Sequence, residues 1–191
     1  MTLLPRALMW TRTDTAGAEH VVFDDRRGLT AHGVQLAVDP VPYTCRYELY
    51  TDESWATAQF TATTEGAGWL RTVRMERAAG RWRVTTAEQG QLDAHQPGIE
   101  DPDRLEGVLD IDLGGSPLTN TLPLKRSGME DIRVVTAWVL PPSLAVVRAE
   151  QTYTVLSKER VRYASDGFET DIELDEHGYV RDYPGLAKRV G

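Results

Sequence analysis

A chain of 191 residues with a formal charge of −8, 41% apolar and 26% charged, buries roughly 70% of the surface its unfolded form exposes and can build a core without staples. The acidic balance excludes an electrostatic nucleic-acid binder, which needs a basic face, and disfavours docking on anionic lipid. One cysteine, Cys45, leaves no disulfide framework, and no stretch approaches the ~18 apolar residues of a membrane-spanning helix. The reading is one domain over residues 1–191, cytoplasmic, with no nucleic-acid partner and no integral membrane segment.

The opening MTLLPRALMWTRTD has neither the apolar run nor the small-residue cleavage site of a signal peptide. A first strand through Trp10 turns at Thr15-Ala16-Gly17 toward His20-Val21-Val22-Phe23. In Cys45-Arg46-Tyr47-Glu48-Leu49-Tyr50 alternation puts Cys45, Tyr47 and Leu49 on one face, with Cys45 as a small core residue. Arg71, Arg74, Arg77, Arg81 and Arg83 read as solvated outer faces, and Ala78-Ala79-Gly80 as the loop of a hairpin. Glu88 to Leu105, with Gly90, Pro97, Gly98 and Pro102, reads as a mobile surface loop.

Leu109 to Ser127, LDIDLGGSPLTNTLPLKRS, departs from its neighbours. It begins as a strand with Asp110 and Asp112 on one face, about 6.6–6.8 Å apart along the chain. Ser116 and Pro117 suit the N-cap and first position of a short helix over Ser116–Arg126, which Pro123 ends or kinks. Beyond it, VRYAS and FETDIEL are parted by Asp166-Gly167. The second run places Phe168, Thr170, Ile172 and Leu174 inward against Glu169, Asp171, Glu173 and Asp175 outward. At least ten candidate strands result, and helical periodicity is scarce: the fold class is mainly β, a roll, barrel or sandwich.

Three readings of the aspartate pair stand side by side. The acids hold the fold, bonded to the Gly114-Gly115 amides, to Thr119 and Thr121, and to Lys125 or Arg126. Alternatively they face a ligand, or one of them is a general acid whose pKa burial and its neighbour raise. A calcium loop is excluded, since the twelfth residue from Asp110 is Thr121. Scattered His20, His32, His95 and His177 give no zinc pattern, and no nucleophile elbow or phosphate-binding loop occurs. No metal and no cofactor is expected. Trp10, Trp55, Trp69, Trp82 and Trp138, with Tyr47, Tyr50, Tyr153 and Tyr163, suit either core filling or the faces of a sugar or amphipathic ligand.

CRYELYTDESWAT, LDIDLGGSPLTNTLPLKR, AWVLPPSL, QTY and ELDEHGYVRDYPGLAKR, the last from Glu173 to Arg189, together resemble a bacterial family described as glycolipid-binding, over most of the chain. TNTLP and YPGL are its most specific elements here. The chain departs from the pattern after YPGL, where an aromatic is frequent in the family and Ala187 stands here. The resemblance implies a spiral β-roll: a highly curved antiparallel sheet, akin to an open barrel, wrapped around one short helix. It implies a cofactor-free protein that takes a small amphipathic molecule, a lipid or glycolipid, in the concavity. Asp110, Asp112, Asn120 and Arg126 would hold the polar end, and Trp55, Trp138 and Tyr153 would line the space. An enzyme in the same cavity (isomerase, cyclase or hydrolase), with Asp110 or Asp112 as acid and Tyr153 as partner, is the second reading. A homodimer paired through edge strands is the third.

Overall fold

The computed structural model describes residues 6–191; the part of the signal-peptide reading that falls on residues 1–5 lies outside them. Fourteen strands form one sheet in the order β7-β6-β5-β4-β3-β2-β1-β14-β13-β12-β11-β10-β9-β8. The first half is a meander: β1 (Arg6–Arg12), β2 (Gly17–Asp24), β3 (Thr30–Ala37), β4 (Tyr43–Thr51), β5 (Thr57–Gly66), β6 (Trp69–Ala78) and β7 (Arg81–Gly90). The second half holds β8 (Asp110–Leu113), β9 (Ile132–Leu140), β10 (Ala145–Ser157), β11 (Arg160–Ser165), β12 (Phe168–Leu174), β13 (Val180–Tyr183) and β14 (Ala187–Arg189). The C-terminal β14 pairs antiparallel with β1 and joins the halves. Every pairing is antiparallel except β8 on β9. The sheet curls but does not close, because its end strands β7 and β8 are not partners. Instead the free edge of β8 meets β5, where Thr57 N–H donates to the Leu109 carbonyl at 2.8 Å.

Period-2 alternation produces this curl directly. In β3 the burial alternates without a break, Ala31, Gly33, Gln35 and Ala37 inward and His32, Val34 and Leu36 outward. Ala79-Gly80 and Asp166-Gly167 both carry positive φ at the two central turn positions, the geometry whose twist matches the flanking strands.

Two apolar cores result, one on each side of the segment 110–126. Trp10, Phe23, Leu49, Phe60, Met75 and Trp82 pack with Ile111, Leu113, Leu118 and Leu122. Val134, Tyr153, Val161, Tyr163, Ile172 and Tyr183 pack with Leu124. β9 serves both: Val134 belongs to one core and Ala137 and Val139 to the other, and Thr136 and Ala137, adjacent in sequence, are both buried. The burial face therefore changes over midway along the strand, as the coil of the sheet requires.

Five expectations need correction. The helix is a 3-10 turn over Pro117–Asn120 followed by α1 (Thr121–Arg126), and the Ser116 side chain makes no capping bond. Pro123 falls in the first turn of α1, where its missing N–H costs nothing, so it does not end the helix. The stretch 88–105 is anchored rather than loose: β7 runs to Gly90, and Gly98 exchanges backbone bonds of 2.8 Å with Leu144 and Val146. The buried Arg71, read as an outer-face residue, donates to the carbonyls of Leu92 (3.1 Å) and His95 (2.5 Å). Phe168 is 49% exposed, since it opens its strand beyond the reach of the core.

Candidate functional site

Every hydrogen-bonding side chain from Asp110 to Arg126 except Lys125 is tied into the roll. Asp110, fully buried, receives a two-pronged ion pair from Arg126 at the end of α1, Nη2 to Oδ2 at 2.6 Å and Nε to Oδ1 at 3.2 Å. Asp112 accepts Thr119 Oγ1 at 2.9 Å on one oxygen and Gln151 Nε2 at 2.6 Å on the other. The Tyr153 hydroxyl donates to Gln151 Oε1 at 3.1 Å and accepts Asn120 Nδ2 at 3.0 Å. Asn120, Tyr153, Gln151, Asp112 and Thr119 thus form one continuous chain of bonds. The Gly114-Gly115 amides and Lys125 are not its partners; the Lys125 ammonium lies 5.4 Å from the Trp55 ring and 5.5 Å from that of Tyr179.

Electrostatics follow from burial. Desolvation pushes Asp112 above the usual carboxylate range; the bonds from Gln151 and Thr119 oppose this, and the nearby Asp110 charge adds to it. Asp110 is also raised by burial, with the Arg126 guanidinium opposing. Burial, with the Asp112 charge second, holds the Tyr153 phenol well above its ordinary value, so it stays protonated.

The structure therefore brings together Asp110 with Arg126, and Asp112 with Asn120 and Tyr153. It does not bring Trp55 or Trp138 to them. Trp55 sits in the turn after β4 with φ +69°, packed against the first core. Trp138 stands in register with Asp112 but is 38% exposed, at the end of β9 where that face has turned to solvent. Within the concavity, buried side chains of the segment 113–124 pack against the aromatic and aliphatic side chains of the sheet. What Asp110 and Arg126 do reach is an outer groove of about 230 Å³. Its walls are apolar (Val108, Leu109, Val134, Val135) and its rim charged (Glu106, Arg126, Arg133, Arg148).

A second polar cluster escaped the sequence reading. Glu19, fully buried on β2, accepts Tyr47 Oη at 2.5 Å and Ser116 Oγ at 2.7 Å. Gly33 makes the first bond geometrically available, since a Cβ there would sit 2.2 Å from the Tyr47 ring. Burial raises Glu19 from 4.5 to about 7, opposed by Tyr47, Ser116, Arg12 and Gln35 in that order. Glu19, Gln35 and Cys45 are register partners across β2, β3 and β4, continued by Thr64 and Arg71 on β5 and β6. The signal was in the alternation. Val21 and Phe23 facing inward fix Glu19 inward, and Ala31 and Ala37 do the same for Gln35. Ser116 and Thr119 link the clusters through one turn of chain. Among the described residues no group of acidic, histidine or cysteine side chains could hold a metal, and no helix is long and apolar enough to cross a membrane.

Fold and site define a class: a curled, unclosed β-roll filled by its own inserted segment, with its buried polar side chains knit to that segment and an amphipathic groove outside. The chain belongs to the family described as "Putative glycolipid-binding", whose model matches residues 7–189. It is similar to the crystal structure of a DUF1089 family protein from Pseudomonas aeruginosa, at 24% identity and a TM-score of 0.73 over 94% of this chain and 95% of that one. A beta-barrel-like protein of the domain of unknown function DUF1849 from Brucella abortus aligns at 10% identity and a TM-score of 0.48 over 98% and 96%. No curated protein matches the sequence. The first likeness carries the fold, and the family carries binding as the coarse function.

Proposed function

We propose that the protein binds a small amphipathic molecule of the lipid or glycolipid class at the groove beside Asp110 and Arg126, without a cofactor. The observation that carries this is the groove itself: apolar walls from Val108, Leu109, Val134 and Val135 under a rim of Arg126, Arg133 and Arg148. At about 230 Å³ it falls short of the roughly 300–1,000 Å³ of a whole-ligand pocket. It suits a headgroup and the first carbons of a chain. Asp110 fixes the Arg126 fork, leaving the guanidinium edge to a hydroxyl or anionic group. Asp112, Asn120 and Tyr153 support this site from behind, through Thr119 and α1.

The acid–base alternative would need Asp112 to give up a partner, since both its oxygens are engaged. Native mass spectrometry after gentle extraction, followed by titration with dodecyl maltoside and with a dodecyl phosphate, tests the proposal. The Arg133→Ala/Arg148→Ala double variant should bind at least five-fold more weakly at an unchanged Tm, because both side chains are exposed and outside the core. Absence of co-purified lipid together with no saturable binding of either probe refutes the proposal.

A further inference from the structure

Among the described residues, three fully enclosed polar atoms on neighbouring strands have no hydrogen-bond partner: Arg12 Nη1 on β1, Glu19 Oε2 on β2 and Gln35 Oε1 on β3. Each belongs to a side chain that grips the same turn. Gln35 Nε2 points to the Gly114 carbonyl at 3.4 Å. Arg12 lies on Gly115, where a Cβ would come within 2.1 Å of Nη1. Glu19 takes the Ser116 hydroxyl.

The remaining atoms of these side chains are committed. Arg12 directs Nε and Nη2 to Asp14, at 2.7 and 2.5 Å, so Nη1 is its spare donor. Glu19 engages Tyr47 and Ser116 through Oε1. Turning the Gln35 amide over would set its oxygen against the Gly114 carbonyl, which fixes Oε1 as an acceptor. Buried polar atoms of this kind are nearly always partnered. With Glu19 ionised, above about pH 7, the set calls for an occupant that accepts one hydrogen bond from a guanidinium and donates to a carboxylate and to an amide oxygen. A hydroxyl oxygen does this, from one water with two protons or from two adjacent hydroxyls of a sugar.

We propose that Arg12, Glu19 and Gln35 form a hydroxyl-binding subsite over the Gly114–Ser116 turn, separate from the groove at Asp110. Tyr43 is its boundary. That ring lies beside Arg12 and at the same time lines a groove of about 450 Å³ with Leu36, Val38 and Pro42. A carbohydrate would enter from this apolar side by displacing Tyr43; a water would sit behind it. The subsite does not rest on the proposed ligand groove, and either can fail without the other.

The test is a high-resolution crystal structure of the full chain at pH 8.5, where Glu19 is ionised, alone and grown with methyl β-D-glucoside, beside a tryptophan-fluorescence titration with the same sugar. Trp10 reports on the subsite because it pairs with Glu19. One density peak within hydrogen-bond distance of all three atoms, unchanged by the sugar, supports the subsite and assigns it to water. Sugar hydroxyls at those positions, with a saturable fluorescence change weakened at least ten-fold in Gln35→Met, support it and assign it to a carbohydrate. A direct Arg12–Glu19 contact with Gln35 closed onto either, and no density between them, overturns it.

Discussion

Replacing Glu19 by glutamine should make the protein's stability less dependent on pH, and the size of the effect follows from its burial. In the unfolded chain Glu19 loses its proton near 4.5; in the folded protein desolvation holds the proton until about 7. Between those values folding takes up a proton, so stability falls as pH rises across the interval. The contribution is fully present below about 4.5 and gone above about 7. At about 1.4 kcal/mol per pH unit, that interval corresponds to about 3 kcal/mol. The substituted glutamine would still accept from Tyr47 and Ser116 through its oxygen. Urea unfolding of the parent and Glu19→Gln between pH 5 and pH 8.5 measures this. The parent should lose roughly 2–3 kcal/mol more than the variant over that range, and the variant should be the more stable protein at pH 8. Asp110 and Asp112, also raised by burial, add slope in the same direction but cancel in the difference. Parallel profiles for the two proteins would refute the assignment of Glu19 as a buried, proton-retaining carboxyl.

Removing Arg126 as Arg126→Met strands the Asp110 charge in the interior and should cost about 3–5 kcal/mol at neutral pH. Pairing it with Asp110→Leu should recover most of that loss, as chemical denaturation of the four members of the cycle will show. Asp112→Asn puts an amide N–H against donors from Thr119 and Gln151 and should lose about 1–3 kcal/mol. A melting temperature equal to the parent's would instead return Asp112 to the acid–base reading. Gly33→Ala drives a methyl into the Tyr47 ring and should cost about 1–3 kcal/mol, with the Tyr47–Glu19 bond broken in a crystal structure. Trp138→Ser, at an exposed position, should stay within about 0.5 kcal/mol of the parent.

The alternation that made the chain legible as β also marked where it was not. Cys45, Tyr47 and Leu49 read as one inward face and are one, because a meander of antiparallel strands has a single buried side over most of its length. β9 broke the rule, since the sheet coils past an inserted segment and both of its faces become interior in turn. Trp138 was therefore unreadable from period alone. The Asp110–Arg126 pair was within reach of the sequence because the two residues flank one short excursion of chain. Gln151, which occupies Asp112, was not: it lies 39 positions away, and only the β8–β9–β10 register brings it there. Glu19 was readable and unread, a carboxylate at a core position in an ordinary strand pattern.

These positions bear on where the proposed ligand would lie. An open barrel takes its ligand inside because its interior is lined but unfilled. Here Leu113, Leu118, Leu122 and Leu124, all fully buried, occupy that volume from within the chain. The segment is held there by Glu19 through Ser116, by Asp112 through Thr119 and by Asp110 through Arg126. Vacating the concavity would expose those leucines and strand three carboxylates, two costs of the same sign. The grooves beside Asp110 and Tyr43 require neither. Ligand binding on the outer surface, read through the same buried carboxylates that hold the plug, is the arrangement that disturbs this fold least.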